Sequence, residues 1–267
     1  MYLLYPWGKA TLIVCVAAAV LLLAGAIFFP PAAAASATDP FPDLYAGELP
    51  DYLPDEGKVV YYTFDDGPSQ NTVAILDTLR KKGVKATFFV TAQQTDDVDS
   101  ASVLRRIVQE GHSIGVHTYT HDYHDIYADV ESYLEDFQKI RQHITEITGE
   151  APVIFRFPGG SMKNSYAAPG VQQAIREEMT RRGFVYYDWN VVSGDDKSQM
   201  VDTDTLIRNI LSGAKGKDKV IILCHDDAMR RSTAEAVGPV IDALSEQGYR
   251  FERLTEQVKP IRMGEAG

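Results

Sequence analysis

The chain has 267 residues, 45% of them hydrophobic, and a formal net charge of −11. This composition excludes an intrinsically disordered chain and suffices for one large domain or two small ones. The acidic charge argues against nucleic acid or an anionic membrane surface as the main ligand, because both attract basic proteins. A neutral ligand, or one that becomes cationic, suits it better.

An apolar run without charged residues occupies positions 10–29. A helix of this length, at about 1.5 Å rise per residue, just crosses a hydrocarbon layer of ~30 Å. Lys9 precedes the run, as the positive-inside rule prefers, and the Ala-Ser-Ala triplet at 35–37 would suit a signal peptidase. Residues 1–37 are therefore predicted to be a membrane anchor, which the length favours, or a signal peptide cleaved near Ala37. Either alternative exports the rest of the chain.

The next segment, 38–56, is rich in Pro, Asp and Gly and has no clear periodicity, so we predict a linker there. A globular domain over 57–258 and a tail over 259–267 complete the predicted organisation. The chain has two cysteines, Cys15 in the apolar run and Cys224 in the domain, so the exported part has no internal disulfide. We predict that Cys224 is a small buried hydrophobe.

Short runs of β-branched and aromatic residues alternate with helical segments throughout the globular domain. The seven predicted strands are 59–63, 86–90, 113–116, 153–157, 184–189, 220–224 and 249–254. The six predicted helices are 70–82, 101–110, 130–148, 169–182, 202–213 and 233–247. The helix at 130–148 is the clearest, because its apolar residues form one stripe at helical spacing.

Four predicted helices end in the same joint, in which a glycine follows the helix and a strand follows the glycine; these glycines are Gly83, Gly111, Gly183 and Gly248. The recurring joint indicates β/α units and a parallel sheet. We predict an α/β fold, an irregular TIM-like (β/α) barrel of about seven parallel strands, with a doubly wound open sheet as the alternative. Both architectures place functional sites at the carboxyl ends of the strands.

Polar side chains follow the first and third predicted strands. The segment TFDDGP at 63–68 places Asp65 and Asp66 where the first strand stops, although such a pair could simply cap the next helix. The segment HTYTH places His117 and His121 four residues apart, a spacing that lets both bind one ion if a helical turn begins there. Two histidines with structural hydrogen bonds are the alternative. The glutamate of the HExxH motif is absent, which argues against a zinc protease.

The next three predicted strands also end in polar groups. Arg156, in RFPGG at 156–160, could clamp a carboxylate through two parallel hydrogen bonds. Asp188 precedes Trp189 near the end of the fifth strand, and His225 closes the segment LCH on the sixth. Each of these could be structural when taken alone. Because carboxyl ends of parallel strands meet at one rim, we expect the whole set to converge.

The segments TFDDGP, HTYTH, RFPGG, DW and LCH resemble the five motifs of the polysaccharide deacetylases of carbohydrate esterase family 4, whose domain is called NodB-like. They occur in the family's order between residues 63 and 225, and the resemblance covers the whole globular part. The first two motifs are specific, whereas the last two are short. The resemblance implies that 57–258 is a catalytic domain of this class.

The resemblance also implies a metal site and a catalytic base. Its ligands would be Asp66, His117 and His121, and its ion would be divalent, usually Zn²⁺. Co²⁺, Ni²⁺ and Mn²⁺ are alternatives, because histidine and carboxylate ligands accept several first-row ions. Asp65 would be the catalytic base and Arg156 would hold it in place.

The remaining motifs imply a catalytic acid and a substrate pocket. His225 would be the acid, and Asp188 would orient and charge it. Trp189 and Leu223 would line the acetyl pocket, while the Gly159 N–H would be open to the substrate. Many family members carry an aromatic or other side chain at the position of Gly159, so this chain differs in one wall of the sugar groove.

The implied function is metal-dependent removal of N-acetyl groups from a polysaccharide that contains N-acetylglucosamine, releasing acetate and a free amine. Export and membrane tethering favour peptidoglycan or another cell-envelope glycan as the partner. An O-acetyl esterase acting on acetylxylan is one alternative, and a glycan-binding module without catalysis is another. The complete motif set speaks against the binding module, since a binder needs neither Asp65 nor His225.

Overall fold

The structure is a computed structural model that describes residues 39–49, 51–93, 98–162, 164–197 and 199–264. The predicted anchor or signal segment at 1–37 lies outside the described residues. Within the described ranges, no helix combines the length and the apolar character needed to span a bilayer.

Strands and helices alternate along the described chain. The strands are β1 Val59–Asp65, β2 Thr87–Thr91, β3 Ser113–Thr118, β4 Ile154–Phe155, β5 Val185–Tyr186, β6 Val191–Val192, β7 Lys219–His225 and β8 Arg250–Glu252. The helices are α1 Gln70–Lys82, α2 Ser100–Gln109, α3 Tyr123–Ile126, α4 Val130–Thr148, α5 Val171–Arg181, α6 Thr203–Ala214 and α7 Arg231–Glu246. Every predicted strand and helix is present, several of them shorter than predicted. The short elements β6 and α3 were not predicted.

The strands form one parallel sheet with the order β5-β4-β3-β2-β1-β7-β6, and β8 also pairs with β1. The late strand β7 pairs with β1 over its whole length, from Val59 beside Lys219 to Asp65 beside His225. In a doubly wound sheet the chain returns after β5 to the other side of β1, and the next strand, β6, would lie beside β1. Here β7 lies beside β1, and β6 lies outside β7. The order therefore confirms the TIM-like interpretation. Among the described strands no ladder joins β5 to β6, so the barrel is irregular.

Side chains alternate between the two faces of β1. Val60, Tyr62 and Phe64 face outward and belong to the large core between the sheet and the helices. Val59 and Tyr61 face inward and form a second, smaller core inside the barrel. Because alternate residues share one face of a strand, the inward column continues through Thr63 to Asp65. The barrel interior is thus apolar at the amino ends of the strands and polar at their carboxyl ends.

The segment at 39–47 packs on the domain, so the predicted linker at 38–56 is wrong over this part. Phe41 and Leu44 are 7% and 1% exposed and belong to the large core. Arg182, at the end of α5, donates to both of their carbonyl oxygens and to the carboxylate of Asp39. The Pro, Asp and Gly residues of the segment suggested a linker, although two of its apolar residues, three positions apart, become buried. Gly183 allows this segment to approach the end of α5 closely, because a Cβ on Gly183 would lie 1.9 Å from the Gly47 carbonyl oxygen.

Candidate active site

A cavity of about 390 Å³ opens at the carboxyl ends of the strands. Of the predicted site residues, all but Arg156 and Asp188 line it. Asp65 and His225 are register partners on β1 and β7, which explains why they lie side by side at the rim. Asp66 adopts a left-handed conformation with φ 78°, which turns its side chain from the outer face of the strand into the same cavity.

The three predicted metal ligands meet in this cavity. The Oδ1 atom of Asp66 lies 3.4 Å from Nε2 of His117 and 3.2 Å from Nε2 of His121. Ligand atoms bound at about 2.0–2.1 Å to one tetrahedral ion lie roughly 3.3 Å apart, so both distances fit a shared ion. The Oδ1 atom of Asp66 is also buried and accepts no hydrogen bond from the described residues. An uncompensated buried carboxylate oxygen that faces two imidazoles has the chemistry of a metal site.

Both histidines are held in orientations that suit ligation. Nδ1 of His117 lies 2.8 Å from the Arg156 carbonyl oxygen; since a carbonyl only accepts, Nδ1 carries the proton and Nε2 presents its lone pair. Burial lowers the pKa of His117 well below its usual range, which keeps the imidazole neutral. The spacing of the two histidines suggested a helical turn between them. His121 instead lies at the end of a loop and has φ 56°. Asp136 of α4 braces that loop by accepting from the N–H groups of Tyr119 and Thr120.

Asp65 and Arg156 form a buried pair inside the barrel. Nη1 of Arg156 donates to Oδ1 of Asp65 at 2.9 Å and to the Thr63 hydroxyl at 2.6 Å. Its Nε donates to the Tyr187 carbonyl oxygen. The predicted clamp with two parallel hydrogen bonds is therefore wrong. The guanidinium donates one hydrogen bond to the Asp65 carboxylate, and its other hydrogen bonds include those to Thr63 and Tyr187. Burial raises the pKa of Asp65 to about 6, although Arg156 and the nearby His225 act to lower it.

His225 pairs with Asp195 and not with Asp188, which corrects the sequence-based assignment. The Asp195 carboxylate lies 2.8 Å from Nδ1 of His225 and accepts from its backbone N–H at 2.8 Å. It also accepts from the hydroxyl of Thr233 on α7. Burial acts to lower the pKa of His225, but the hydrogen bond and charge of Asp195 outweigh it and raise that pKa to about 9. Asp195 follows the short strand β6, so recognising that strand would have revealed a second aspartate at a strand end.

Asp188 instead ties two segments together beneath the rim. Its fully buried carboxylate accepts from the N–H and the hydroxyl of Ser161 and from the N–H of Met263. Its backbone N–H donates to the Ile261 carbonyl oxygen. The predicted tail at 259–267 is therefore part of the packed domain at least over 261–263. Asp188 supports the loop that follows Arg156 and does not line the cavity.

The loop that follows Arg156 presents the Gly159 N–H to the cavity. The Gly160 N–H donates to the Phe157 carbonyl oxygen, and Gly159 has φ 74°, as expected for a turn with proline before glycine. None of the described residues accepts a hydrogen bond from the Gly159 N–H. A Cβ on Gly159 would lie 3.2 Å from a ring carbon of Tyr123, so this chain fills with Tyr123 the space beside Gly159. The predicted pocket residues Trp189 and Leu223 complete the lining.

A TIM-like parallel barrel that brings an Asp-His-His cluster, a buried aspartate and a histidine paired with a carboxylate into one cavity at the strand ends has the arrangement of a hydrolytic active site. A family model described as polysaccharide deacetylase matches residues 53–176. A peptidoglycan-N-acetylglucosamine deacetylase of Bacillus cereus is 32% identical over 206 residues, which cover 76% of this chain and 71% of that protein.

Solved structures agree with these relatives. The catalytic domain of peptidoglycan N-acetylglucosamine deacetylase from Eubacterium rectale has a TM-score of 0.76 and 32% identity, over 80% of this chain and 96% of that one. A polysaccharide deacetylase from Bacillus cereus has a TM-score of 0.68 and 31% identity, over 77% and 97% of the two chains. The chain belongs to the polysaccharide deacetylases of carbohydrate esterase family 4 and is an enzyme of that class, as the motifs predicted.

Proposed function

We infer that this enzyme removes N-acetyl groups from a cell-envelope polysaccharide of N-acetylglucosamine, with peptidoglycan as the substrate, and that it needs a divalent metal. The relatives named for peptidoglycan deacetylation support the substrate. The observation that carries the chemistry is the pair of titratable groups beside the Asp-His-His cluster. The pKa of Asp65 is about 6 and that of His225 is about 9, so at neutral pH one is a base and the other an acid.

The metal would be held by Asp66, His117 and His121, and Zn²⁺ is the ion we expect. When bound, such an ion lowers the pKa of water from ~16 toward ~7 and polarises a carbonyl group. Three protein ligands leave coordination positions for water and substrate, which is the pattern of catalytic rather than structural zinc sites. The carboxylate and imidazole ligands also suit Co²⁺, Ni²⁺ and Mn²⁺.

Four groups of the protein then carry out the proton transfers and stabilise the charge that develops on the substrate. Asp65 takes a proton from the attacking water, while Arg156 keeps its carboxylate directed into the pocket. The Gly159 N–H donates to the oxygen of the acetyl carbonyl as negative charge develops there, a contribution of about 3 kcal/mol for one such donor. His225 gives its proton to the departing nitrogen, which would otherwise be a very poor leaving group. Acetate and a free amino sugar result.

We place the catalytic domain outside the cytoplasm, attached to the membrane or secreted. This location rests on the apolar run at 10–29 and on the signal peptidase pattern before Ala37. It also rests on the substrate, because peptidoglycan is reached only from that side of the membrane.

The metal proposal predicts a loss of affinity when one ligand is removed. His121→Ala should weaken Zn²⁺ and Co²⁺ binding by more than about 100-fold, since even supporting groups around metal ligands are worth 10–100-fold. The measurement is titration of chelator-treated protein with each ion, followed by metal analysis and by the visible spectrum of Co²⁺. His143→Ala, a histidine on α4 outside the cavity, serves as the control. Unchanged affinity in His121→Ala would remove this residue from the ligand set.

The substrate proposal is tested by mass spectrometry of muropeptides after incubation with the full-length protein. We expect muropeptides that have lost acetyl groups, with an equal amount of free acetate, and at least about 100-fold slower formation of both products with Asp65→Asn protein. Chitooligosaccharides and acetylxylan are assayed in parallel. Release of acetate from acetylxylan alone would replace the proposed amidase by an O-acetyl esterase.

A further inference from the structure

A cluster of aromatic rings lies beside the catalytic pocket; we call Tyr123, His124 and Tyr166 the aromatic shelf. Tyr123 and His124 begin α3, and Tyr166 belongs to the loop between β4 and α5. The ring centroids of Tyr123 and Tyr166 are 5.2 Å apart, and those of His124 and Tyr166 are 4.9 Å apart. Tyr166 remains 50% exposed in spite of these contacts. No step of the proposed mechanism uses Tyr166 or His124.

The aromatic shelf is continuous with the pocket through one residue. Tyr123 lines the pocket, and its ring stands edge-on to the ring of His121 with centroids 5.4 Å apart. The same tyrosine packs against the exposed ring of Tyr166. Tyr166 therefore lies one aromatic ring farther along the rim than the metal-binding histidine. A ligand that extends out of the pocket on this side would reach its exposed face.

The chemistry of the shelf fits a sugar ring. A tyrosine offers a flat apolar face together with a polar hydroxyl, and tyrosines are enriched at binding interfaces for this reason. A pyranose has the complementary form, a face of C–H groups bordered by hydroxyls. A single exposed face is also far smaller than the interface of more than about 1,000 Å² that a stable protein partner needs. A neutral polysaccharide suits this surface better than a protein does.

We propose that the aromatic shelf is a subsite for the sugar residue that adjoins the reactive one, with Tyr166 stacked on its ring face. The proposal rests on the proposed polysaccharide substrate, because only a chain of at least two sugars can occupy the pocket and the shelf together. Tyr166 would then contribute to substrates of two or more sugars and would not contribute to a single sugar.

The test compares chitooligosaccharides of increasing length as substrates of the full-length protein. Tyr166→Ala should lower kcat/KM for chitopentaose by roughly three- to tenfold, with a loss of at most about twofold for monomeric N-acetylglucosamine, which fills the pocket and does not reach the shelf. Tyr166→Phe should restore the wild-type length dependence, because it keeps the ring face. Tyr52→Ala is the matched control, since Tyr52 is 39% exposed and does not line the pocket.

An equal loss at every chain length, or no loss with chitopentaose, would overturn the subsite. A binding measurement separates this failure from a failure of the proposed function. In protein that carries Asp65→Asn, chitopentaose is titrated while the intrinsic fluorescence is followed, and adding Tyr166→Ala should raise Kd by the same three- to tenfold factor. If the wild-type protein releases no acetate from any oligomer, the deacetylase proposal fails, and this titration still decides whether the shelf binds the sugar.

Discussion

Replacing Asp65 by asparagine is expected to lower kcat by a factor of about 10²–10⁴, the range that one general base contributes. Asparagine keeps the size of the side chain and can still accept the Arg156 hydrogen bond through its amide oxygen. It cannot take a proton from water. The loss should therefore fall on turnover and not on folding, and it is measured as acetate release from chitooligosaccharides.

Metal content separates this prediction from a trivial loss of the site. Asp66, His117 and His121 remain in place in Asp65→Asn, so bound Zn²⁺ should stay near one ion per chain. Asp125→Asn removes an exposed carboxylate of α3 that does not line the cavity, and its kcat should match that of the wild type. Turnover retained in metal-loaded Asp65→Asn protein would assign the base to another residue.

The sequence was enough to predict those parts of the site that lie at the ends of long strands. Asp65 and His225 end β1 and β7, the two strands that pair over seven positions, so their meeting follows from the parallel register alone. Asp66 is different, because its placement depends on a left-handed backbone conformation after the strand. The motif predicted its role, whereas strand alternation alone would have directed it to the outer face.

The partner of His225 could not be predicted in the same way. Asp195 follows a strand of two residues, Val191–Val192, which is too short to produce a periodic signal. Asp188 follows a longer apolar run and therefore looked like the better candidate. The two aspartates differ in their surroundings: Asp188 satisfies the backbone of Ser161 and Met263, and Asp195 contacts the imidazole. Only the three-dimensional packing distinguishes these roles.

The ends of the domain were missed for a related reason. Residues 39–47 are rich in Pro, Asp and Gly, residues 261–263 are only three positions long, and neither segment has a regular period, which is typical of linkers and tails. Each is nevertheless held by one buried charged group, Arg182 for the first segment and Asp188 for the second. A single charged side chain that satisfies several backbone groups leaves no pattern in the sequence. Such segments must be located by their hydrogen bonds.

Replacing Asp195 by asparagine should move the alkaline limit of activity toward lower pH. A general acid works only while it is protonated, so kcat/KM falls as the pH rises through its pKa. The pKa of His225 is about 9 in the wild type because the contacts with Asp195 outweigh burial. Without that carboxylate, burial is the largest remaining influence, so the pKa should fall from about 9 toward 6.5, the ordinary value for histidine. At pH 8 the protonated fraction, and with it kcat/KM, should drop by up to roughly thirtyfold.

The pH profile distinguishes this electrostatic effect from simple damage to the site. Asp204→Asn removes the same charge from an exposed residue of α6 that does not line the cavity, and it keeps the Asp195 contact, so its alkaline limit should stay near that of the wild type. Asp195→Asn should recover much of the wild-type rate as the pH is lowered, because His225 becomes protonated again. A loss of activity that is uniform across the pH range would mean that Asp195 only positions the imidazole. The charge of the acid would then have to come from Asp65 and Asp66, the other carboxylates that raise its pKa.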